Sequence, residues 1–305
     1  MTGLLSSALQ LLAFLLAPPL LLGVIGRVKA LVAGRQGPPL LQPWHDLLRL
    51  GRKGAVFSRT STWVFRAGPV VGLAAVLAAG LLLPLGGPGA VISFAGDFAL
   101  LAALLGLARF ATVLAALDTG SSFEGMGAAR EVTFSALAEP ALFLGFVALV
   151  RSTGGLELTH LLGDGLATAW RTDGPALLLV ALSIFVVALA ENARLPVDDP
   201  ATHLELTMIH EVMVLDHSGP DLAFIQYGAA LKLFLFGALV VRLALGFPFA
   251  SPWLALAAFL GGMLAFAVGL GVIESTLARL RLVRVPQFLV TASVLSAFAL
   301  VLVLR

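Results

Sequence analysis

The chain contains no cysteine, which excludes disulfides, thiolate-held zinc and cysteine-ligated iron–sulfur clusters within it. If redox chemistry is involved, the electrons travel on another subunit. Charge is also scarce: 12% of the 305 residues are Asp, Glu, Lys or Arg, where soluble domains carry roughly 25%. The chain has no H-E-x-x-H, no P-loop and no G-x-G-x-x-G following a strand. His203 and His210 lie seven residues apart, about 10.5 Å of helix rise, too far for easy joint ligation of zinc. Ser and Thr residues near the histidines form no recognisable triad. By itself the chain does not read as an enzyme, no cofactor or metal site is expected in it, and no nucleic-acid partner is expected.

Apolar residues fill the space that charge leaves. They make up 59% of the sequence, and the mean hydropathy is +1.02, which places the chain in the membrane class. A helix crossing the ~30 Å hydrocarbon core needs about 20 apolar residues. Eight segments qualify, at approximately 4–25, 63–85, 97–117, 132–150, 175–192, 222–246, 252–274 and 285–304. The expected fold is therefore all-α: a polytopic membrane protein whose residues 1–305 form one integral membrane domain. A long basic loop, not a small-residue cleavage site, follows the first segment, so that segment reads as a retained span. Loops 26–62, 118–131, 193–221 and 275–284, together with Arg66, hold thirteen of the nineteen Lys and Arg residues. The other side has only Arg151, Arg171 and Arg305. By the positive-inside rule the four basic loops are cytoplasmic and both termini face outward.

Within the first basic loop, the run 26–59 intersperses Arg35, Gln36, Arg49, Arg52 and Lys53 with Leu40, Leu41, Trp44, Leu47, Leu48 and Leu50. That pattern fits snorkelling cations with a Trp at headgroup depth, a docking surface for a cytoplasmic partner, or both. The connection ENARLPVDDPATHLELTMIHEVMVLDHSG (191–219) is the reverse case. It gathers Glu191, Asp198, Asp199, Glu205, Glu211 and Asp216, six of the seventeen carboxylates, against Arg194 alone. Asp199 followed by Pro200 suits a helix start, N-cap then N1. A helix from Ala201 to about Asp216 would bring Glu205 and Asp216 within about 20° of each other and pack Leu204, Met208, Val212 and Leu215 inward.

Ionisable groups at membrane depth are functional hypotheses by default, because each costs a few kcal/mol. Arg109, Glu139, Glu191, Lys232 and Glu274 are so placed, while Arg242 lies near an outer span end where snorkelling suffices. The bland alternative is an interhelical ion pair such as Arg109 with Glu139. Along the inner half of the bundle, however, Glu131, Glu139, Glu191, Asp198, Asp199, Glu205, Glu211 and Asp216 face only Arg130, Arg194 and Lys232. Surplus buried carboxylates raise their pKa toward neutrality, and such groups suit a proton or cation path, with His210 among them.

The stretches GRQGPPLLQPWHDLLRL, DTGSSFEGMGAAREVTFSALAEP and ENARLPVDDPATHLELTMIHE occur here in the order found in one superfamily. The chain resembles the eight-helix subunit 1 of respiratory NADH dehydrogenase and its hydrogenase relatives. Within that group it is most similar to the formate hydrogenlyase subunit 4 branch, the membrane subunits of group 4 NiFe hydrogenases, through DPATHLELTMIHEVMVL. Val197 stands where the family usually has Phe, and Asp216-His217-Ser218-Gly219 where the NADH dehydrogenase branch tends to read E-Y-S-G.

The resemblance implies that Glu139 and Arg130 match the region where a proton channel opens. Glu191, Arg194, Asp198 and Glu205 match an acidic funnel facing the electron-transfer subunit. It further implies that loop 26–59 docks a hydrogenase-like large subunit and an iron–sulfur subunit, that a NiFe centre and iron–sulfur clusters reside on those partners, and that antiporter-like membrane subunits lie alongside. The expected role is a membrane anchor and ion-coupling subunit in the cytoplasmic (inner) membrane of a prokaryote. A quinone-site subunit of an NADH dehydrogenase-like complex is an alternative on the same fold. A freestanding cation transporter is a second, disfavoured by the lack of inverted repeats or paired broken helices.

The native lack of cysteine makes the topology directly testable. His45→Cys and His203→Cys should be labelled by an impermeant thiol reagent only after the cytoplasmic face is opened. Labelling of either in intact cells would overturn the assignment of sides.

Overall fold

The computed structural model describes residues 2–86, 89–198, 208–246, 249 and 251–305. Ten α-helices occur among them: α1 (Thr2–Val32), α2 (Gln42–Gly51), α3 (Trp63–Gly80), α4 (Asp97–Asp118), α5 (Ser122–Thr153), α6 (Leu158–Leu161), α7 (Asp164–Glu191), α8 (Gly219–Ala244), α9 (Pro252–Thr276) and α10 (Val285–Val303). Eight of these are long and apolar enough to cross a membrane. No strand occurs among the described residues.

Local sequence explains the helix ends. Thr62 caps α3, its hydroxyl accepting the Val64 N–H at 3.2 Å. Asp118, the last residue of α4, accepts the Thr62 and Phe65 N–H groups at 2.6 and 3.2 Å. One carboxylate thus satisfies the free donors that open α3 and fixes the antiparallel α3–α4 pair at one end. Ser251 caps α9, with Pro252 at the first helical position. In α7 the backbone leaves helical values at Asp173 (φ −122°, ψ 27°), two residues before Pro175. The helix long and apolar enough to span extends from Asp164, eleven residues before the expected start at 175.

Proline inside α1 also sets a tertiary contact. Pro19 has no N–H for the Leu15 carbonyl one turn back. The hydroxyl of Tyr227, the single tyrosine, donates to that carbonyl from α8 at 2.8 Å, so a neighbouring helix satisfies the group the proline left free. Trp44 of α2 donates to the Leu16 carbonyl at 3.3 Å. Together these contacts place α2 across α1 and α8.

Elsewhere α5 packs on α7 and α10, α3 on α4, and α1 on α8 and α9. Ser183 and Ser296 are fully buried where α5, α7 and α10 meet. Their hydroxyls lie 2.7 Å apart and bind the Ala292 and Ala141 carbonyls, each at 2.8 Å, the kind of polar contact that joins helices where lipid supplies no hydrophobic drive.

Several expectations need correction. Helix α1 continues to Val32, carrying Arg27 and Lys29, and α5 begins at Ser122, ten residues before its apolar stretch. Backbone hydrogen bonding continues past the hydrocarbon boundary, which a hydropathy limit does not detect. Helix α3 stops at Gly80, although Leu82, Leu83 and Leu85 remain buried in irregular chain before and after Pro84. The expected helix from Ala201 to Asp216 falls partly outside the described residues, as do Leu204 and His203. Its described portion holds only a 3₁₀ turn, Glu211–Val214. Met208 and Val212 pack inward, but Leu215 is 52% exposed. Arg242 does not snorkel: it is buried and donates to the Leu162 carbonyl at 2.8 Å, satisfying the end of α6.

Gly127 of α5 forms the seat of the 208–214 segment. A Cβ there would come within 2.3 Å of Val212 Cγ1 and 3.1 Å of the Ile209 carbonyl oxygen, while one at Gly125 would meet nothing within 4 Å. Gly127→Ala should therefore lower stability by about 1–3 kcal/mol through overpacking. Gly125→Ala should be neutral or stabilising by its helix propensity. Thermal melting of the detergent-purified protein checks the pair; equal melting temperatures would contradict the packing described.

Candidate functional site

Buried charge converges where the end of α7 meets the middle of α4, α5 and α8. Glu191, the last residue of α7, is buried between two cations. Lys232 Nζ of α8 lies 2.7 Å from one carboxylate oxygen and Arg109 Nη1 of α4 3.3 Å from the other. The Arg109 guanidinium also reaches Glu139 of α5, at 3.3 Å. Arg109 is 9% exposed and Glu139 52% exposed, so the pair runs from the bundle interior to its lateral surface. The interhelical ion pair of the bland alternative is thus present, and Glu191 belongs to it as well. A cavity of about 210 Å³ opens beside these groups, lined by Arg109, Glu139, Glu191 and by Ala99, Ala102 and Gly106 of α4. Several waters fit in that volume.

A second group lies toward the connection. Glu131, two turns before Glu139 on α5 and 4% exposed, lies 3.0 Å from His210 Nε2, an ion-pair contact. His210 Nδ1 is 3.8 Å from Asp198 Oδ2, an ionic contact and not a hydrogen bond. Asp198 is held further by Arg279 at 2.7 Å and by the Ile209 N–H at 3.1 Å. His210 and Arg279, with the Ile209 N–H, keep the Asp198 carboxyl below its ordinary range against the opposing effect of burial. Burial disfavours the charged imidazole of His210, but the adjacent Glu131 and Asp198 outweigh it and raise the pKa to about 9. A narrow space lined by Glu131, Ser135, Ala138, Glu191 and His210 joins the two groups. Arg130 anchors the same segment by donating to the Met208 carbonyl at 2.8 Å.

Not every expected residue joins this set. Arg194 pairs instead with Glu274 at 3.2 Å, and Lys29 holds the other Glu274 oxygen at 2.9 Å, which ties the end of α9 to α1 and the connection. Glu211 opens the 3₁₀ turn. Asp216 is exposed, and its backbone N–H binds the buried Glu124 at 3.0 Å. Next to it, His217 stacks on Phe65 with ring centroids 3.9 Å apart, and burial pushes its pKa down to about 4. Asp199 and Glu205 lie outside the described residues. Arg35, Gln36, Arg49, Arg52 and Lys53 are all exposed around α2.

The expected excess of acids over bases is smaller than the sequence tally. Arg109, Lys29, Arg279 and His210 all converge on these carboxylates. Arg279 and Lys29 read as orientation-setting loop charges, and no local signal distinguished them from the other loop cations.

Residues 6–305 match the sequence model of the NADH dehydrogenase family. The chain belongs to that family. Among its curated relatives, hydrogenase-4 component C of Escherichia coli (strain K12) is 31% identical over 88% of this chain and 86% of the relative. Formate hydrogenlyase subunit 4 of the same organism is 28% identical, covering 92% of each. An NADH-quinone oxidoreductase subunit of Anaplasma phagocytophilum (strain HZ) is 28% identical over 72% of this chain and 69% of that one. The fold recurs in a chain of the membrane-bound sulfane sulfur reductase, an archaeal respiratory membrane complex, with a TM-score of 0.82 over 99% of this chain and 100% of that one at 21% identity. This NADH dehydrogenase family member is therefore a membrane subunit of the kind found in hydrogenase-4, formate hydrogenlyase and respiratory complexes related to NADH dehydrogenase.

If Glu191 is stabilised by its two cations, Lys232→Met should lower stability by about 3–5 kcal/mol, the cost of breaking a buried pair from one side. Adding Glu191→Gln should recover part of that loss. Melting of the single and double variants gives the coupling, and strictly additive losses would count against the contact.

Proposed function

We propose that this chain anchors a hydrogenase-4 or formate hydrogenlyase-type redox module to the membrane and couples its electron transfer to proton or sodium movement. The observation that carries this reading is the ordered series of ionisable groups from Asp198 through His210 and Glu131 to Glu191, Arg109 and Glu139. It leads from the connection into the middle of a span and ends at a half-exposed carboxylate beside a hydratable cavity. Acids joined by water-sized spaces can pass protons, whereas a purely structural ion pair has no use for the cavity.

The relatives favour the hydrogenase branch. The two hydrogenase-type proteins align over 88% and 92% of the chain, the NADH-quinone oxidoreductase protein over 72%. In this reading the basic side, with α2 and the 192–218 connection, is cytoplasmic and docks a hydrogenase-like large subunit and an iron–sulfur subunit. Those partners hold the NiFe centre and the clusters that a cysteine-free chain cannot. Antiporter-like membrane subunits cover the lateral face where Glu139 emerges, and the complex resides in the inner membrane of a prokaryote.

Glu139→Gln keeps the side chain's shape but cannot ionise, and Arg109 retains Glu191 as its partner. The variant complex should assemble at normal abundance and turn over artificial electron donors and acceptors nearly as before. Ion uptake by membrane vesicles should fall to that of vesicles lacking the complex. Normal uptake at normal abundance would sink the ion-path assignment.

A further inference from the structure

Besides the Arg130–Met208 and Asp216–Glu124 hydrogen bonds and the packing on Gly127, the connection after α7 meets α5 through one imidazole. His210 lies between two carboxylates on different elements: Glu131 of α5, at 3.0 Å from Nε2, and Asp198 of the connection, at 3.8 Å from Nδ1. Asp198 is in turn fixed to the α9–α10 loop by Arg279, at 2.7 Å. Both neighbours are anions when ionised, and only the doubly protonated ring carries the positive charge that attracts both. A neutral imidazole has one N–H and one lone pair. Whichever tautomer it adopts, the lone pair faces a carboxylate oxygen and one of the two contacts becomes repulsive.

From this geometry we propose that the imidazolium of His210 is a proton-operated clasp, holding the 208–214 segment to α5 through Glu131 and to the Asp198–Arg279 anchor. This deepens the ion-path reading and rests on it for its role in transport. In the transfer step the N–H bond at Nε2 breaks and an O–H bond forms on Glu131 Oε2, leaving neutral His210 and neutral Glu131. The proton then has the space shared by Ser135, Ala138 and Glu191 before it, and His210 is reloaded from the connection's side. Passing the proton inward and loosening the segment are the same event, which supplies a link between movement of the partner-facing connection and admission of the proton.

Among the described residues, the charged groups facing His210 are Glu131 on α5, Asp198 in the connection and, at longer range, Lys232 on α8. Arg279 acts through Asp198, and Arg130 holds the backbone at Met208. With a pKa raised to about 9, the clasp is complete below the ordinary histidine value near 6.5 and is lost as pH rises through about 9. Between those two values its contribution falls about tenfold per pH unit for one proton, and above about 9 none of it remains.

Hydrogen–deuterium exchange on the purified complex tests this, with protection of 208–217 corrected for the intrinsic pH dependence of exchange. In the native complex, protection should fall about tenfold per pH unit between about pH 7 and 8.5 and level off above about pH 9. His210→Arg, a permanent cation, should keep protection level through pH 10 while abolishing ion uptake. His210→Gln should lower protection at every pH and remove the step. If that variant fails to assemble, the native titration and His210→Arg still decide. Protection that does not change with pH in the native complex, or a step that persists in His210→Arg, overturns the clasp. Clasp titration as described with unaltered ion uptake in His210→Arg supports the clasp and instead overturns the ion-path reading.

Discussion

Glu191 is the point on which the bundle's polar organisation depends. A carboxylate at the end of a spanning helix is costly when unpaired, and here Lys232 from α8 and Arg109 from α4 approach it from either side. Satisfying that one anion sets the relative height of three helices. It also leaves Arg109 able to reach Glu139 on a fourth, so the requirement to neutralise one charge extends to the lateral surface. Buried pairs of this kind contribute little net stability but are expensive to break from one side. They therefore specify an arrangement more than they strengthen it.

The connection after α7 follows the same rule at the membrane's edge. Asp198 takes Arg279 and two backbone N–H groups, Glu131 takes His210, and Glu274 takes Arg194 and Lys29. Each carboxylate joins segments far apart in sequence, and the chain bends to bring the cations to them. Glycine permits the close approach: Gly127 lets the 208–214 segment lie directly on α5. Held in this way, the described part of a charged loop packs against an apolar bundle with Asp198 paired.

The similarity to hydrogenase-4 component C and formate hydrogenlyase subunit 4 covers nearly the whole chain, and the fold recurs in a sulfane sulfur reductase complex at 21% identity. One eight-span frame thus occurs in complexes named for different electron-transfer chemistries.

Composition by itself determined the all-helical membrane class and the number of spans, because a greasy, weakly charged chain can satisfy its backbone in lipid only within long helices. Charge placement also made Glu139, Glu191, Glu131 and Lys232 legible as costly and therefore meaningful groups. Which charge meets which was decided only by tertiary structure. Arg109 could have paired with Glu139 alone, and Arg194 reads as a neighbour of Asp198 but turns to Glu274. Arg279 and Lys29 look in sequence like any other basic loop residues. The helical rule that aligned Glu205 with Asp216 also misled, since the described part of that segment holds a 3₁₀ turn and no α-helix. Ion pairing depends on where side chains arrive in three dimensions, and spacing along a chain specifies that only within one regular element.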